Sequence, residues 1–105
     1  MPKELDTETK AALIKNLTEN LPVLRAKLGV TQAELAARVG VSRQTIISIE
    51  MGKRAMSWGT FVALTLLFLR NESTKVLLPV VKVYTRELDS FFRFGSEENI
   101  QEGDQ

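Results

Sequence analysis

The chain has 105 residues, of which 44% are hydrophobic and 26% are charged, a composition typical of one soluble globular domain. It contains no cysteine and no histidine, which excludes disulfides, thiol nucleophiles, thiolate metal sites and histidine bases. Neither a carboxylate pair nor a glycine-rich phosphate loop stands among convergent polar residues. We therefore predict a protein that is not an enzyme and that uses neither a metal ion nor a cofactor.

Charge is distributed unevenly along the chain. The net charge is +1, but residues 21–58 carry six basic and two acidic residues, whereas residues 96–105 carry four acidic residues and no basic ones. A basic middle region favours a polyanionic partner, although an unevenly charged, solvated surface gives the same pattern. The polar first ten residues and the short apolar run 61–69 predict neither a secretion signal nor a membrane span, so we expect a cytoplasmic protein.

Apolar spacing and capping residues predict helices along most of the chain. A leading helix covers residues 7–17, and a second helix covers residues 21–28 and ends at Gly29. Proline is best tolerated in the first turn of a helix, which favours a break near residues 18–20 and a new helix that contains Pro22 in its first turn. The alternative is one helix that runs on through Pro22. The sequence leaves that choice open.

Five further helices are predicted, each preceded by a residue whose side chain can accept a hydrogen bond from the first turn. The first of them has a capping box, in which Thr31 is followed three residues later by Glu34. Gly40 and Gly52 end the first two with the positive φ that glycine adopts at little cost. The caps and helices are Thr31 for residues 32–39, Ser42 for 43–51, Ser57 for 58–69, Asn71 for 72–78 and Thr85 for 86–94.

The helices over residues 32–39 and 42–51, the second counted with its cap and joined to the first by Gly40 and Val41, have the spacing of a helix-turn-helix. Apolar residues fall where the two helices must meet, and the small Ala36 lies at the crossing, where a larger side chain would separate them. These positions are Leu35, Ala36, Val39, Val41, Ile46 and Ile49. The stretch TQAELAARVGVSRQTIISIEMGKR resembles the phage repressor and Cro (XRE-type) family of DNA-binding helix-turn-helix proteins, over roughly residues 21–71.

The resemblance implies an all-α fold, a compact five-helix domain of the repressor and Cro type with an extra N-terminal helix and a C-terminal helical extension. On that basis we divide the chain into four parts. They are a leading helix (residues 1–20), a helix-turn-helix DNA-binding domain (21–71), a C-terminal helical extension expected to take part in dimerisation (72–94) and an acidic, disordered tail (95–105).

In that family the second helix of the motif lies in the major groove with its N-terminal residues against base edges. The matching positions imply base contacts by Arg43, Gln44 and Ser48, since arginine can donate two hydrogen bonds to guanine and glutamine can pair with adenine. At about 100° per residue, Ile47 points away from Ile46 and flanks this face. It is placed to touch a thymine methyl. The alternative is an idle, exposed isoleucine.

The resemblance also implies contacts to the DNA backbone around this helix. The residues concerned are Gln32, Ser42, Thr45, Lys53, Arg54 and Arg25. In some family members the residue matching Gln32 is braced by the glutamine at the place of Gln44. Arg25 and Glu50 match two positions that form a structural ion pair in some family members. Arg25 is expected at the edge of the surface that contacts the phosphates. Met51 departs from the family, which commonly has asparagine at this phosphate-contacting position. For Lys53 and Arg54, a solvated basic turn is the alternative.

The run FVALTLLFL, residues 61–69, is apolar almost all round and must be covered on more than one side. Either the later helices, within residues 76–94, cover it or a second subunit does. Two recognition helices related by a two-fold axis read a palindrome with half-sites roughly 34 Å apart. We therefore expect a homodimer built on the segment after Trp58.

These observations predict a transcriptional regulator that binds double-stranded DNA, most simply a repressor that occludes a promoter. An antitoxin that regulates its own synthesis through the same domain is an alternative within this class. A protein-interaction module on the same fold is an alternative from another class. DNA binding through phosphates weakens steeply as salt rises, and this dependence separates the last alternative from the first two.

Overall fold

The computed structural model describes residues 4–94, and these contain six α-helices. They are Thr7–Leu28 (α1), Gln32–Val39 (α2), Arg43–Glu50 (α3), Trp58–Leu69 (α4), Glu72–Lys75 (α5) and Arg86–Phe91 (α6). No strand occurs between residues 4 and 94, and the prediction of an all-α fold is confirmed. None of the described helices is both long and apolar enough to cross a membrane. The predicted acidic tail, residues 95–105, lies outside the described residues.

α1 is one continuous helix through Pro22, which answers the question that the sequence leaves open. It begins after Asp6, whose carboxylate accepts a hydrogen bond from the Thr9 amide at 2.7 Å, and it ends at Gly29 with a φ of 73°. An interior proline costs about 3 kcal/mol, but fully burying each leucine contributes about 1.5–3 kcal/mol. The buried leucines lie on both sides of the proline and are Leu13, Leu17, Leu21 and Leu24. Burial in the core therefore outweighs local helix propensity.

The two motif helices begin at the residues that their caps predict. The Glu34 amide donates to the Thr31 hydroxyl at 3.0 Å, and the Thr31 amide donates to the Glu34 carboxylate at 2.8 Å, which completes the capping box. Gly40 ends α2 with a φ of 80°. α3 ends at Glu50 with Met51 as its C-cap, one residue before the predicted end. The short turn holds α2 directly against α3.

Of the three C-terminal helices, only the last two depart from the predicted bounds. α4 has the predicted bounds, but α5 ends at Lys75 instead of residue 78, and α6 ends at Phe91 instead of residue 94. The predicted cap at Asn71 is wrong, because its side-chain amide donates to a main-chain carbonyl one turn earlier, at 2.9 Å. The turns that follow α5 bury Leu78 and Val83 completely. Tertiary burial therefore favours these turns over a longer helix.

One hydrophobic core lies between the helices. α1 contacts α3, α4 and α5, while α2 contacts α3 and α4. Ala36 is 2% exposed at the α2–α3 packing, in agreement with its predicted position at the crossing. The buried hydrophobic residues are Leu13, Leu17, Leu21, Leu24, Leu35, Ala36, Ile46, Ile49, Met56, Phe61, Leu64, Phe68, Leu78, Val83 and Leu88. Because α1 supplies four of them and contacts α3, it is part of the core that orients α3.

Candidate nucleic-acid interface

The orientation of α3 is fixed by two isoleucines. Ile46 is 0% exposed and Ile49 is 1% exposed, so one side of the helix is locked into the core. Arg43 and Gln44, in the first turn, are exposed. This is the helical phase that the sequence predicts, and it presents the N-terminal end of α3 outwards.

A hydrogen-bonded group surrounds the N-terminus of α3. The Ser42 hydroxyl accepts from the Thr45 amide at 3.0 Å, and the hydroxyls of these two residues lie 2.9 Å apart. From the loop after α3, Arg54 donates through Nη1 to the Thr45 hydroxyl at 3.3 Å. The loop therefore folds back, and a guanidinium lies beside a helix N-terminus that already favours anions.

Two of the predicted base-contacting residues are connected to each other. Gln44 donates through Nε2 to the Ser48 hydroxyl, one turn along α3, at 3.2 Å. Ser48 is half-buried. The main-chain amide of the exposed Lys53 donates to the Ser48 carbonyl at 2.9 Å. The Gln44 side chain thus runs along the outer side of α3 and does not brace Gln32, unlike the arrangement that the resemblance suggests for some relatives.

Gln32 is held by Glu50 instead. Its Nε2 donates to Glu50 Oε1 at 2.8 Å, and Arg25 donates to the same carboxylate through Nε at 2.9 Å and through Nη2 at 3.1 Å. The hydrogen bond to Glu50 is the main cause that raises the pKa of Arg25 above its usual value. Arg25 also donates to the Val30 carbonyl at 3.3 Å. These bonds tie α1, α2 and α3 together.

The link between Gln32 and Glu50 is a feature that the sequence pattern does not reveal. The predicted ion pair of Arg25 with Glu50 is present, and its side chains are 23% and 7% exposed. Gln32 and Glu50 are 18 residues apart and lie on different helices. No local spacing rule connects such residues, so the signal lies only in the packing of α2 against α3.

Ile47 lies between the core and the surface. It is half-buried and stands outside the hydrophobic core cluster, which includes both neighbouring isoleucines of α3. Met51, whose amide donates to the Ile47 carbonyl at 2.9 Å, is 59% exposed. α3 therefore has a partly apolar edge beside its polar face, and Ile47 is less exposed than a residue pointing straight into solvent.

The described part of the chain brings most of the predicted site residues around α3. Ser42, Thr45 and Arg54 form one group, and Gln44 with Ser48 forms another. Gln32 and Arg25 meet at Glu50. No group of three or more acidic side chains placed to hold a metal ion occurs between residues 4 and 94.

Comparison with known proteins adds an independent line of evidence. The family model described as helix-turn-helix matches residues 24–64. Two HTH-type transcriptional regulators of Archaeoglobus fulgidus are 35% and 34% identical over 74 residues, which is 70% of this chain and 82% and 83% of those proteins. An HTH-type transcriptional regulator of Methanothermobacter thermautotrophicus is 61% identical over 33 residues, 31% of this chain and 48% of that protein.

No solved structure matches the chain significantly. The matched residues 24–64 contain α2, α3 and the turn between them, together with the ends of α1 and α4 that pack on them. They also include the exposed first turn of α3 and the basic loop that follows it. The resemblance noted in the sequence is thus confirmed, and the chain belongs to the helix-turn-helix family of DNA-binding transcriptional regulators.

Proposed function

We propose that the chain is a sequence-specific repressor that reads DNA through the exposed face of α3. The observation that carries this proposal is the orientation of the helix, with Ile46 and Ile49 fully buried and Arg43 and Gln44 exposed in the first turn. Residues at this end of a recognition helix reach base edges when the helix enters a major groove. The buried isoleucines therefore select which side chains face the DNA.

The proposed base contacts are made by Arg43, Gln44, Ser48 and Ile47. Arg43 is suited to a guanine edge and Gln44 to an adenine edge. The hydrogen bond from Gln44 to Ser48 holds the amide along the helix before DNA arrives, so that less side-chain freedom is lost on binding. Ile47, on the apolar edge of α3, is assigned to a thymine methyl.

The proposed phosphate contacts surround this face. They are made by Gln32, Ser42, Thr45, Lys53, Arg54 and Arg25. The bond from Arg54 to Thr45 supports this assignment, because it keeps a positive charge beside the N-terminus of α3. The carboxylate of Glu50 would repel a phosphate, and the two hydrogen bonds from Arg25 offset its charge. Phosphate contacts of this kind position the protein without reading sequence.

The proposed active form is a homodimer on a palindromic operator. One α3 helix reads only a few base pairs, whereas two related by a two-fold axis read two half-sites about 34 Å apart. The segment after Trp58 supplies the dimer contact. Occlusion of a promoter by this dimer accounts for repression without any catalytic activity, and access to the DNA implies a cytoplasmic location.

Selection of binding sites from random duplex DNA tests this proposal. We expect enrichment of one sequence with two-fold symmetry and a half-site spacing of about one helical turn. A reporter whose promoter overlaps the enriched site should lose expression when the protein is produced. Recovery of no preferred sequence would overturn sequence-specific binding, and increased expression of the reporter would overturn repression.

The contact of Ile47 has its own test. Replacement of each thymine in the selected site by uracil removes only a methyl group from the major groove. One such replacement should weaken the wild-type protein and leave the Ile47→Ala variant unchanged, because the variant already lacks the contact. If the uracil replacements weaken both proteins equally at every thymine, Ile47 does not contact a thymine methyl.

A further inference from the structure

An apolar groove of about 260 Å³ lies between α4 and the segment over residues 84–92. We call it the α4–α6 groove. Its lining residues are Phe61, Val62, Thr65, Leu66, Leu69, Tyr84, Leu88 and Phe92. None of them belongs to α2 or α3, so the groove is separate from the residues assigned to DNA.

The groove is built to hold an apolar occupant. Its two polar lining residues offer little to a polar ligand: the Tyr84 hydroxyl donates to Asp89, and the Thr65 hydroxyl oxygen is buried. Leu66 is 60% exposed and Phe92 is 52% exposed at its edges. Single exposed apolar residues are ordinary, but two of them flanking a continuous apolar groove mark a binding surface.

The chain itself supplies a side chain that fits this surface. Phe94, two residues beyond the groove-lining Phe92, is 100% exposed. The sequence after it, GSEENIQEGDQ, contains four acidic residues and Ile100 as its one large apolar residue. That composition is poorly suited to fill an apolar groove within the same copy.

A second copy offers both the groove and the projecting aromatic ring. We propose that the α4–α6 groove is the contact surface of a two-fold dimer in which Phe94 of each copy enters the groove of the other. Each contact is then made twice by symmetry, as an isologous interface requires. The inference rests on the proposed homodimeric function and specifies the surface that forms the dimer.

The available area supports a second copy as the occupant. A phenylalanine side chain buries about 150–250 Å² when it is fully covered. Phe94 is fully exposed, and Leu66 and Phe92 are 60% and 52% exposed, so covering these three side chains would bury several hundred Å² per copy, a substantial part of the roughly 800 Å² that each partner buries in a stable interface. The rim next to this surface is polar, since Arg93 donates to Asp89 at 2.8 Å, as interfaces commonly are at their edges.

Sedimentation equilibrium of the full chain tests the groove. Leu66→Glu places a charge on an apolar groove-lining position and should raise the dimer dissociation constant by about 30-fold or more, because the charge would be buried without a partner in the interface. Phe94→Ala should raise it by about tenfold or more, because the inserted ring is lost. The matched control is Val23→Glu, on α1 and 58% exposed, which should leave the dimer intact.

Three outcomes would overturn the groove as the dimer surface. They are a monomeric wild-type protein at micromolar concentration, a Phe94→Ala variant that dimerises like the wild type, and equal loss of the dimer in Leu66→Glu and Val23→Glu. Phe94 lies outside the helices and is fully exposed, so its variant decides the question even if Leu66→Glu unfolds.

DNA binding by the same variants distinguishes failure of the groove from failure of the proposed function. A wild-type dimer that Phe94→Ala disrupts, but that shows no sequence preference on DNA, would support the groove and overturn the proposed function. A wild-type protein that binds its operator with sequence specificity as a monomer would support sequence-specific DNA binding and overturn the groove as a dimer surface. If both proposals hold, Phe94→Ala should bind an isolated half-site like the wild type and lose affinity for the full palindrome.

Discussion

The α2–α3 pair and the helices that line the α4–α6 groove pack on one core, but their outer surfaces differ in polarity. The outward first turn of α3 carries Arg43 and Gln44, whereas α4 turns Leu66 outwards at 60% exposure. A polar, basic surface matches hydrated phosphates and base edges. Covering an apolar surface with another apolar surface removes both from water and lowers the free energy. One small core thus carries a polar, basic face and an apolar face, which we propose as the DNA-binding surface and the dimer contact.

The two regions also differ in how their polar groups are satisfied. Around α3, outward side chains bond to one another, as Arg54 does to Thr45 and Gln44 does to Ser48. On α4, the hydroxyl oxygen of Thr65 is buried without a hydrogen-bond partner among the described residues. The first arrangement fixes the orientation of polar side chains at the surface, and the second lies on a helix that packs mainly through apolar side chains.

The largest effect concerns the side of α3 that faces the core. Ile46→Ala should lower the free energy of unfolding by about 2–5 kcal/mol, because it removes a fully buried side chain. Ile47→Ala should cost about 1 kcal/mol, since Ile47 is only half-buried. Urea denaturation of both variants measures the difference. Equal losses would mean that the helical phase of α3 is wrong.

The ion pair behind the motif should give the next largest effect. Arg25→Ala leaves the mostly buried Glu50 carboxylate without its main partner and should cost about 2–3 kcal/mol of stability. This value is reduced from that of a fully buried pair because Arg25 is 23% exposed. In the double variant with Glu50→Gln, part of the loss should be recovered when unfolding is measured by urea. Simple addition of the two single effects would show that the pair is not coupled.

A smaller effect, of opposite sign, is expected in α4. Thr65→Val removes a buried, unpartnered hydroxyl and should raise the free energy of unfolding by about 1 kcal/mol. Thermal melts at one fixed protein concentration are required, because the proposed dimer would melt at a temperature that depends on concentration. A loss of stability would mean that the Thr65 hydroxyl has a hydrogen-bond partner, as the polar side chains around α3 do.

The smallest effect concerns the basic loop after α3. Lys53→Ala should weaken binding to selected and scrambled DNA alike and reduce the slope of log K against log salt by about one, since one phosphate contact is lost. Lys75→Ala, an exposed lysine on α5, is the matched control and should leave the slope unchanged. An unchanged slope for Lys53→Ala would show that this residue belongs to a solvated turn.

Much of the α2–α3 pair is predictable from sequence because local chemistry determines it. The capping box of Thr31 with Glu34, the turn at Gly40 and the cap at Ser42 each act within a few residues, and all three are present. The burial of Ile46 follows from helical periodicity alone. Periodicity and caps together therefore suffice to predict that the first turn of α3 faces outwards.

The remainder depends on contacts between distant residues. Pro22 lies inside α1 because leucines before and after it are buried, and α5 stops early because Leu78 and Val83 enter the core. Gln32 turns to Glu50 only once α2 and α3 have packed. Sequence patterns report local preference, and in each of these places tertiary contact overrides or extends it.

The most direct test of DNA reading by α3 compares the wild-type protein with a double variant, Arg43→Ala and Gln44→Ala, on a selected and a scrambled duplex at several salt concentrations. The wild type should prefer the selected duplex and weaken steeply with salt. The variant should lose about 1–3 kcal/mol per removed contact on the selected duplex, while its affinity for the scrambled duplex falls far less. A variant that retains the full preference, or a wild-type affinity indifferent to salt, would contradict the assignment of α3 as the DNA-reading helix.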